Sequence, residues 1–233
     1  VRGTYTLLEV IRENKKKIKS IVVASSDKAY GKYPIKLLPY KENYKLNPEF
    51  PYDTSKACAD IIAKSYSSKL FKLPILITRF ANIYGPGQLN FTALIPDAIR
   101  SCLLNKKFLM RSDGKAIRDF VYINDIVELY KLLSKNLYIY PKKFSGEIFN
   151  AGTNIKHEIK DIIEKIFIYK NKKKELKIIL KKMYKNKTRG EISIQFMDYK
   201  KLNLFLGWKP KYKFKQTLPE LFKWYQSYFK KNK

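Results

Sequence analysis

Ile21-Val22-Val23-Ala24-Ser25-Ser26-Asp27-Lys28 is the stretch of sequence that decides the fold. Its first four residues form an apolar run, which is typical of a buried strand in a parallel sheet covered by helices. The hydroxyl of Ser26 and the carboxyl of Asp27 follow at the carboxyl end of that strand. Because open α/β sheets bind their ligands at this end of their strands, the stretch predicts an α/β fold with a site at its last residues.

A second motif, Tyr52-Asp53-Thr54-Ser55-Lys56, opens a segment in which apolar residues recur at helical spacing. Residues four positions apart lie on one face of a helix, so the hydroxyl of Tyr52 and the ammonium of Lys56 point the same way. A cation beside a phenol stabilises the phenolate and lowers its pKa, which makes a tyrosine usable as a general base. Solvated helical faces also show this spacing. The neighbouring strings favour the catalytic interpretation: Ser25-Ser26-Asp27 before the motif and Arg79-Phe80-Ala81-Asn82-Ile83-Tyr84-Gly85-Pro86 after it.

Strands and helices alternate along the chain, which predicts a parallel sheet. We expect strands at residues 18–25, 74–79, 148–151 and 192–196, and shorter extended segments at 108–111 and 119–123. We expect helices at residues 3–13, 52–70, 92–104, 126–134, 158–169, 199–206 and 217–230. Residues 176–180 fit neither type clearly.

Composition narrows the range of partners. The formal net charge of +29 favours anionic partners, but the lysines are spread along the chain without a zinc-finger, RNA-binding or helix-turn-helix pattern. We therefore expect no specific nucleic acid partner. We also expect no membrane partner, because no apolar run approaches the length of a membrane span.

His157 is the only histidine, which excludes multi-histidine metal sites and His-based triads, and we expect no metal. Two cysteines give no disulfide framework, which favours a cytoplasmic protein.

At the two motifs the chain resembles the extended short-chain dehydrogenase/reductase family, and within it the NAD-dependent nucleotide-sugar epimerases and dehydratases. The resemblance spans nearly the whole chain and continues through Leu94-Ile95-Pro96, Ser112-Asp113-Gly114, Arg118-Asp119-Phe120-Val121-Tyr122-Ile123-Asn124-Asp125, Phe149-Asn150-Ala151-Gly152 and Leu206-Gly207-Trp208-Lys209-Pro210. It implies a Rossmann-like, doubly wound parallel sheet with a smaller α/β substrate-binding domain, and a homodimer that forms through helices 3–13 and 52–70. The expected cofactor and catalytic domain comprises residues 1–88 and 119–152. The expected nucleotide-sugar domain comprises residues 89–118 and 153–233.

The glycine-rich phosphate loop of the family, Gly-x-x-Gly-x-x-Gly, does not occur among the 9 Gly of this sequence. In family members that loop leads into the helix N-terminus that binds the pyrophosphate of the cofactor. We therefore expect an N-terminally truncated chain that lacks the first half of its sheet, about 80–100 residues or one mononucleotide-binding half. We also expect residues 1–233 alone to bind NAD poorly.

The resemblance implies NAD as the cofactor and a role for each residue near it. Ser26 resembles the hydroxyl that hydrogen-bonds the C4 oxygen of the sugar, and Tyr52 resembles the base that removes the C4 hydroxyl proton. Lys56 resembles the lysine that holds the nicotinamide ribose and lowers the pKa of the tyrosine. Phe80 resembles the residue whose backbone meets the nicotinamide carboxamide.

The resemblance also implies a nucleotide-diphosphate sugar as substrate. Asn82 and Arg118 resemble groups near its diphosphate, which an arginine fork suits geometrically. Family members often carry a further arginine in the segment that corresponds to residues 190–198, and this chain has none there. Arg189 precedes that segment, and an odd offset along a strand points a side chain to the opposite face. We therefore expect weaker diphosphate contacts at that corner.

Asp27 and Lys28 bear on the reaction type. Simple 4-epimerases of the family carry small apolar residues after the catalytic serine or threonine, whereas 4,6-dehydratases carry Asp-Glu, or Asp-Lys in those that act on CDP-glucose. In that chemistry the aspartic acid protonates the leaving C6 hydroxyl, and its neighbour takes the C5 proton, which a lysine can do only with a lowered pKa. The sequence favours an NAD-dependent nucleotide-sugar 4,6-dehydratase. A 4-epimerase, a non-catalytic remnant and a basic nucleic-acid-binding protein stay open as alternatives.

Overall fold

The computed structural model describes residues 1–110, 112–183 and 192–232, and strands alternate with helices along them. The strands are β1 (Ile21–Ser26), β2 (Ile75–Phe80), β3 (Asn82–Tyr84), β4 (Ile117–Arg118), β5 (Phe120–Tyr122), β6 (Ile148–Ala151), β7 (His157–Glu158) and β8 (Ile194–Gln195). The helices are α1 (Arg2–Glu13), α2 (Pro51–Tyr66), α3 (Leu94–Leu104), α4 (Ile123–Ile139), α5 (Pro141–Phe144), α6 (Ile159–Tyr169), α7 (Lys173–Met183), α8 (Lys200–Leu206) and α9 (Phe214–Lys231). Two short 3-10 helices, Asp27–Tyr30 and Ile35–Leu37, follow β1. No helix within the described ranges is both long enough and apolar enough to cross a bilayer.

A parallel sheet of three strands, in the order β1-β2-β6, is covered by helices on both faces. All six residues of β2 are buried, and they alternate between the two faces. Ile75 and Ile77 pack with Leu8 of α1 and Ala63 of α2. Leu76 packs on the opposite face in the cluster that contains the apolar side of α4. This arrangement confirms the predicted α/β class with a doubly wound parallel sheet.

The register of the sheet brings the ends of its strands to one edge. Ser26 at the end of β1 lies beside Phe80 at the end of β2, and Phe80 lies beside Ala151 at the end of β6. The polar residues that follow β1 and β2 in sequence therefore meet at the edge where open α/β sheets bind ligands.

A second hydrophobic core lies among α3, α6, α7 and α9. On α6 the buried residues Ile159, Ile162, Ile163 and Ile166 follow the i, i+3, i+4, i+7 spacing of an amphipathic helix. Full burial of each such side chain contributes roughly 1.5–3 kcal/mol to folding. The small sheets β3-β5 and β7-β4-β8 complete this part of the chain.

The boundary between the two predicted domains stays a prediction. Met197, Leu202 and Trp208, which follow β8, pack in the core cluster of the three-stranded sheet. Residues 153–233, which were expected to belong to the nucleotide-sugar domain, therefore contribute side chains to both cores.

Several predicted element boundaries differ from the observed ones. The helix predicted at residues 52–70 ends at Tyr66, because residues 67–71 form turns and Lys72 has a left-handed φ of 56°. Residues 108–110 form no strand, and Arg111 lies outside the described residues. The helix predicted at 126–134 is the longer α4, and the unassigned residues 176–180 lie within α7. The strand predicted at 192–196 is reduced to the two residues of β8.

Candidate active site

The carboxyl ends of β1 and β2 border a cleft of about 580 Å³. This volume falls in the range of ligand-binding cavities. All eight predicted site residues line the cleft: Ser26, Asp27, Lys28, Tyr52, Lys56, Phe80, Asn82 and Arg118. The fold thus brings together residues that β1, α2, β2, β3, β4 and the turn after β1 supply separately. Their individual roles stay predictions.

The turn after β1 directs Asp27 into the protein. Ser26 keeps the extended conformation of the strand, and its Oγ accepts a hydrogen bond from the backbone N–H of Lys28 at 3.2 Å, which caps the 3-10 helix. The same hydroxyl donates to Oδ1 of Asp27 at 3.2 Å. The side chain of Asp27 is consequently buried, whereas Ser26 remains partly exposed beside the cleft.

Asp27 has the properties of a proton donor. Burial raises the pKa of its carboxyl to about 6, because desolvation disfavours the charged form. Lys28, the hydrogen bond from Ser26 and the charge of Arg118 lower this pKa, and Asp119 raises it further. Oδ2 of Asp27 has no hydrogen-bond partner in the described part of the chain. Such a carboxyl holds its proton at a higher pH than a surface aspartate does, which suits it to protonate a ligand.

Tyr52 and Lys56 lie in the first turns of α2. Pro51 occupies the start of the helix, where its missing N–H forfeits no hydrogen bond. Nζ of Lys56 lies 5.8 Å from the centroid of the Tyr52 ring. The predicted lowering of the Tyr52 pKa is wrong for this structure: partial burial and the charge of Asp27 raise the pKa, and these effects outweigh a hydrogen bond with Ser26.

Gln195 is a residue of the site that the sequence did not indicate. Nζ of Lys28 donates a hydrogen bond to Oε1 of Gln195 at 2.5 Å. Gln195 is fully buried on β8, where it pairs in register with Arg118 of β4. The second core therefore supplies a group that orients Lys28 in the cleft. No local motif could have found this contact, because the two residues are 167 positions apart.

The two predicted diphosphate-binding side chains also make internal hydrogen bonds. Nδ2 of Asn82 donates to the main-chain carbonyl of Asp119, the residue before β5, at 3.0 Å. Arg118 is buried, and its Nη1 donates to the carbonyl of Ile117 at 2.8 Å and to that of Ser193 at 3.4 Å. Arg189, the displaced arginine, lies outside the described residues.

The site combines hydroxyl groups, a protonatable carboxyl and two lysines at the edge of a parallel sheet. In the ranges that the structure describes, no group of three or more His, Cys, Asp or Glu side chains is placed to hold a metal ion. A Rossmann-like sheet with Ser26 at the carboxyl end of β1, and with Tyr52 and Lys56 in the first turns of α2 beside the same cleft, is the arrangement that the resemblance to the extended short-chain dehydrogenases/reductases implies.

Comparison with known proteins identifies the family within that class. The sequence model of the family described as GDP-mannose 4,6 dehydratase matches residues 1–221. The chain belongs to this family of nucleotide-sugar dehydratases and epimerases, which confirms the resemblance seen in its motifs.

Known relatives include dehydratases and an epimerase. The chain is 35% identical to dTDP-D-glucose 4,6-dehydratase of Dictyostelium discoideum over 71% of this chain and 38% of that protein. It is 28% identical to the dTDP-D-glucose 4,6-dehydratase of Bos taurus over 98% of this chain and 61% of that protein. It is 30% identical to a putative UDP-glucose 4-epimerase of Methanocaldococcus jannaschii over 96% of this chain and 68% of that protein. The chain thus spans less than two thirds of the length of the first two relatives.

A solved structure confirms the fold. The crystal structure of dTDP-glucose 4,6-dehydratase from Bacillus anthracis, in complex with NAD, superimposes with a TM-score of 0.82 and 31% sequence identity. The superposition covers 97% of this chain and 67% of that chain.

Proposed function

We propose that the protein, at its full natural length, is an NAD-dependent nucleotide-sugar 4,6-dehydratase. The observation that carries the proposal is Asp27, a buried carboxyl at the cleft with a pKa of about 6 and one unpartnered oxygen. Elimination of a C6 hydroxyl needs a proton donor at that hydroxyl, whereas inversion at C4 does not. Similarity to dTDP-glucose 4,6-dehydratases supports the same choice.

The first half of the proposed reaction converts the C4 hydroxyl of the sugar into a ketone. Ser26 hydrogen-bonds the C4 oxygen, and the phenolate form of Tyr52 removes the proton of the C4 hydroxyl. Lys56 and Phe80 line the cleft together with Tyr52, so the residues present fit the nicotinamide end of the cofactor. NAD, when bound, supplies a reversible hydride acceptor for C4.

The second half of the proposed reaction eliminates water across C5 and C6. The C4 ketone acidifies the C5 proton, which Lys28 accepts in its neutral amine form, and the freed electron pair forms the C5–C6 double bond as the C6 hydroxyl leaves. Asp27 protonates that hydroxyl, so it departs as water. Lys28 then returns the proton to C5, and the hydride that bound NAD would supply at C6 would complete a 4-keto-6-deoxy sugar.

The proposed substrate is a nucleotide-diphosphate sugar, with Asn82 and Arg118 near its diphosphate. Incubation of the full-length protein with NAD and dTDP-, UDP-, GDP- or CDP-glucose tests the proposal, with the alkali-induced absorbance of a 4-keto product as the readout. We expect one of the four to yield this product. Inversion at C4 with the C6 hydroxyl retained would instead identify a 4-epimerase, the activity named for the Methanocaldococcus relative. No turnover of any sugar nucleotide would contradict both functions.

We also propose that the protein forms a homodimer through α1 and α2. These helices pack against each other, yet they expose large apolar side chains: Tyr5, Leu7, Val10 and Ile61. Such a face is stabilised by a second copy. Light scattering should show a dimer that Val10→Glu converts to a monomer. Tyr138→Glu, at a similarly exposed position on α4, should leave the dimer intact, and a monomeric wild-type protein would refute the proposal.

A cytoplasmic location stays a prediction. It is supported by Cys58 and Cys102, which are both unpaired.

A further inference from the structure

A buried ion pair joins α2 to the sheet. Asp60 follows Tyr52 and Lys56 on α2 at successive four-residue intervals, so the three side chains share one side of the helix. The carboxylate of Asp60 accepts two hydrogen bonds from Arg79 of β2, from Nε at 2.8 Å and from Nη2 at 2.9 Å. Asp60 is 1% exposed and Arg79 is 3% exposed.

The third nitrogen of Arg79 reaches the turn that carries Asp27. Nη1 donates to the hydroxyl of Tyr30 at 2.8 Å and to the carbonyl of Glu42 at 3.2 Å. The guanidinium also lies 4.7 Å from the centroid of the Tyr30 ring. Tyr30 is the last residue of the 3-10 helix Asp27–Tyr30, and its hydroxyl donates to Oδ1 of Asn150 on β6 at 2.7 Å.

Arg79 therefore contacts α2, the turn after β1 and β1 itself, the segments that supply the proposed acid and bases. It directly precedes Phe80 on β2, and it lies in register between Ser25 of β1 and Asn150 of β6. Its side chain joins α2 to the turn after β1. A bidentate fork fixes orientation as well as distance, which the single ammonium of a lysine does not.

The location of the pair points to a role beyond stability. Neither Asp60 nor Arg79 lines the cleft, so neither can touch a ligand there. A buried ion pair is a weak source of net stability, because removal of two charges from water offsets most of their attraction. The pair does, however, fix the orientation of α2 relative to β2.

We propose that Asp60 and Arg79 are positioning residues that set the placement of Tyr52 and Lys56 relative to Ser26 and Asp27. The inference rests on the proposed function, in which a base on α2 and an acid after β1 act on the same sugar.

Substitutions at the pair test this inference through the rate at which the saturated enzyme forms the keto product. Asp60→Asn keeps the size of the side chain but removes the charge, and we expect kcat to fall about 100-fold with KM nearly unchanged, the effect of a misplacement of about 1 Å. Asp60→Glu restores the carboxylate and should recover part of the loss. Arg79→Lys keeps the charge without the fork and should give an intermediate kcat. The control is Glu147→Gln, which breaks the 2.6 Å ion pair with Lys201 outside the cleft and should leave kcat unchanged.

Hydrogen exchange in residues 52–60, measured by mass spectrometry, separates this inference from the proposed function. A wild-type protein that turns over no sugar nucleotide would refute the proposed function. Faster exchange in Asp60→Asn than in Glu147→Gln would still support the positioning role. A folded Asp60→Asn protein with unchanged kcat and unchanged exchange in this segment overturns the inference, even if its Tm falls. If Asp60→Asn does not fold, the same two measurements on Arg79→Lys decide.

Discussion

Replacement of Asp27 by asparagine should make the protein more stable at neutral pH and much less active. Burial raises the pKa of this carboxyl from 3.8 to about 6 in the folded state. Between pH 3.8 and about 6, the folded state therefore keeps a proton on Asp27 that the unfolded state has already lost. Its contribution to stability is fully present below pH 3.8 and is lost as the pH rises through 6. At about 1.36 kcal/mol per pH unit, the difference between the two pKa values corresponds to about 3 kcal/mol.

The Asp27→Asn variant cannot ionise at this position. Its free energy of unfolding, taken relative to wild type, should therefore increase by about 2.4 kcal/mol between pH 4 and pH 7, because a small part of the wild-type effect is already lost at pH 4. Urea unfolding of both proteins at the two pH values measures this change. Because the predicted quantity is the change with pH in the difference between variant and wild type, any effect of the amide that is the same at both pH values cancels.

The same variant should form the 4-keto product roughly 10²–10⁴-fold more slowly than wild type, because it lacks the donor for the C6 hydroxyl. Asp161→Asn makes the same chemical change on α6, outside the cleft, and should leave activity unchanged. Full activity in Asp27→Asn would refute its role as the acid. A variant less stable than wild type at pH 7, without the expected pH dependence, would refute the electrostatic reasoning.

Two further substitutions test the base and the turn after β1. Tyr52→Phe should lower turnover roughly 10²–10⁴-fold, because it deletes the proposed base. The control, Tyr138→Phe on α4, should leave turnover unchanged. Near-normal turnover in Tyr52→Phe would exclude Tyr52 as the base. Gly31→Ala should lower the urea midpoint, because Gly31 has a φ of +68° and a Cβ there would lie 1.7 Å from the carbonyl oxygen of Asn47. Gly3→Ala has open space around it and should not lower the midpoint, and equal midpoints for the two variants would contradict this account.

Much of the fold could be predicted because its elements carry strong local patterns. The apolar run before Ser26 is a strand of the parallel sheet, as predicted, but the prediction that it is buried is wrong: β1 lies at an edge of the sheet, its first three residues are only partly buried and Ala24 is exposed. The helical spacing after Tyr52 is a helix that covers the sheet. The ends of the helices and strands were less predictable. Helix α2 ends at Tyr66, and the left-handed backbone at Lys72 beyond it is not marked by any change in hydrophobicity. Short strands such as β8 depend on pairing with distant residues, which no local pattern records.

The parts of the candidate site that could be predicted are those whose residues lie close together in the sequence. Ser26 and Asp27 are adjacent in sequence, and Tyr52 and Lys56 lie one helical turn apart, so their approach to a common cleft followed from the sheet topology. The hydrogen bond from Lys28 to Gln195 joins distant segments and could not be predicted. The pKa of Tyr52 also escaped prediction, because it depends on burial and on the charge of Asp27 rather than on the spacing to Lys56.

Deuterium incorporation tests the proposed dehydration most directly. In the proposed reaction the C5 proton is removed and later replaced, so turnover in ²H₂O should give a product that has lost water and carries one deuterium at C5. Mass spectrometry and proton NMR of the product from the full-length protein, NAD and the accepted sugar nucleotide measure both changes. A product that is inverted at C4, retains the C6 oxygen and carries no deuterium at C5 would contradict the 4,6-dehydratase function.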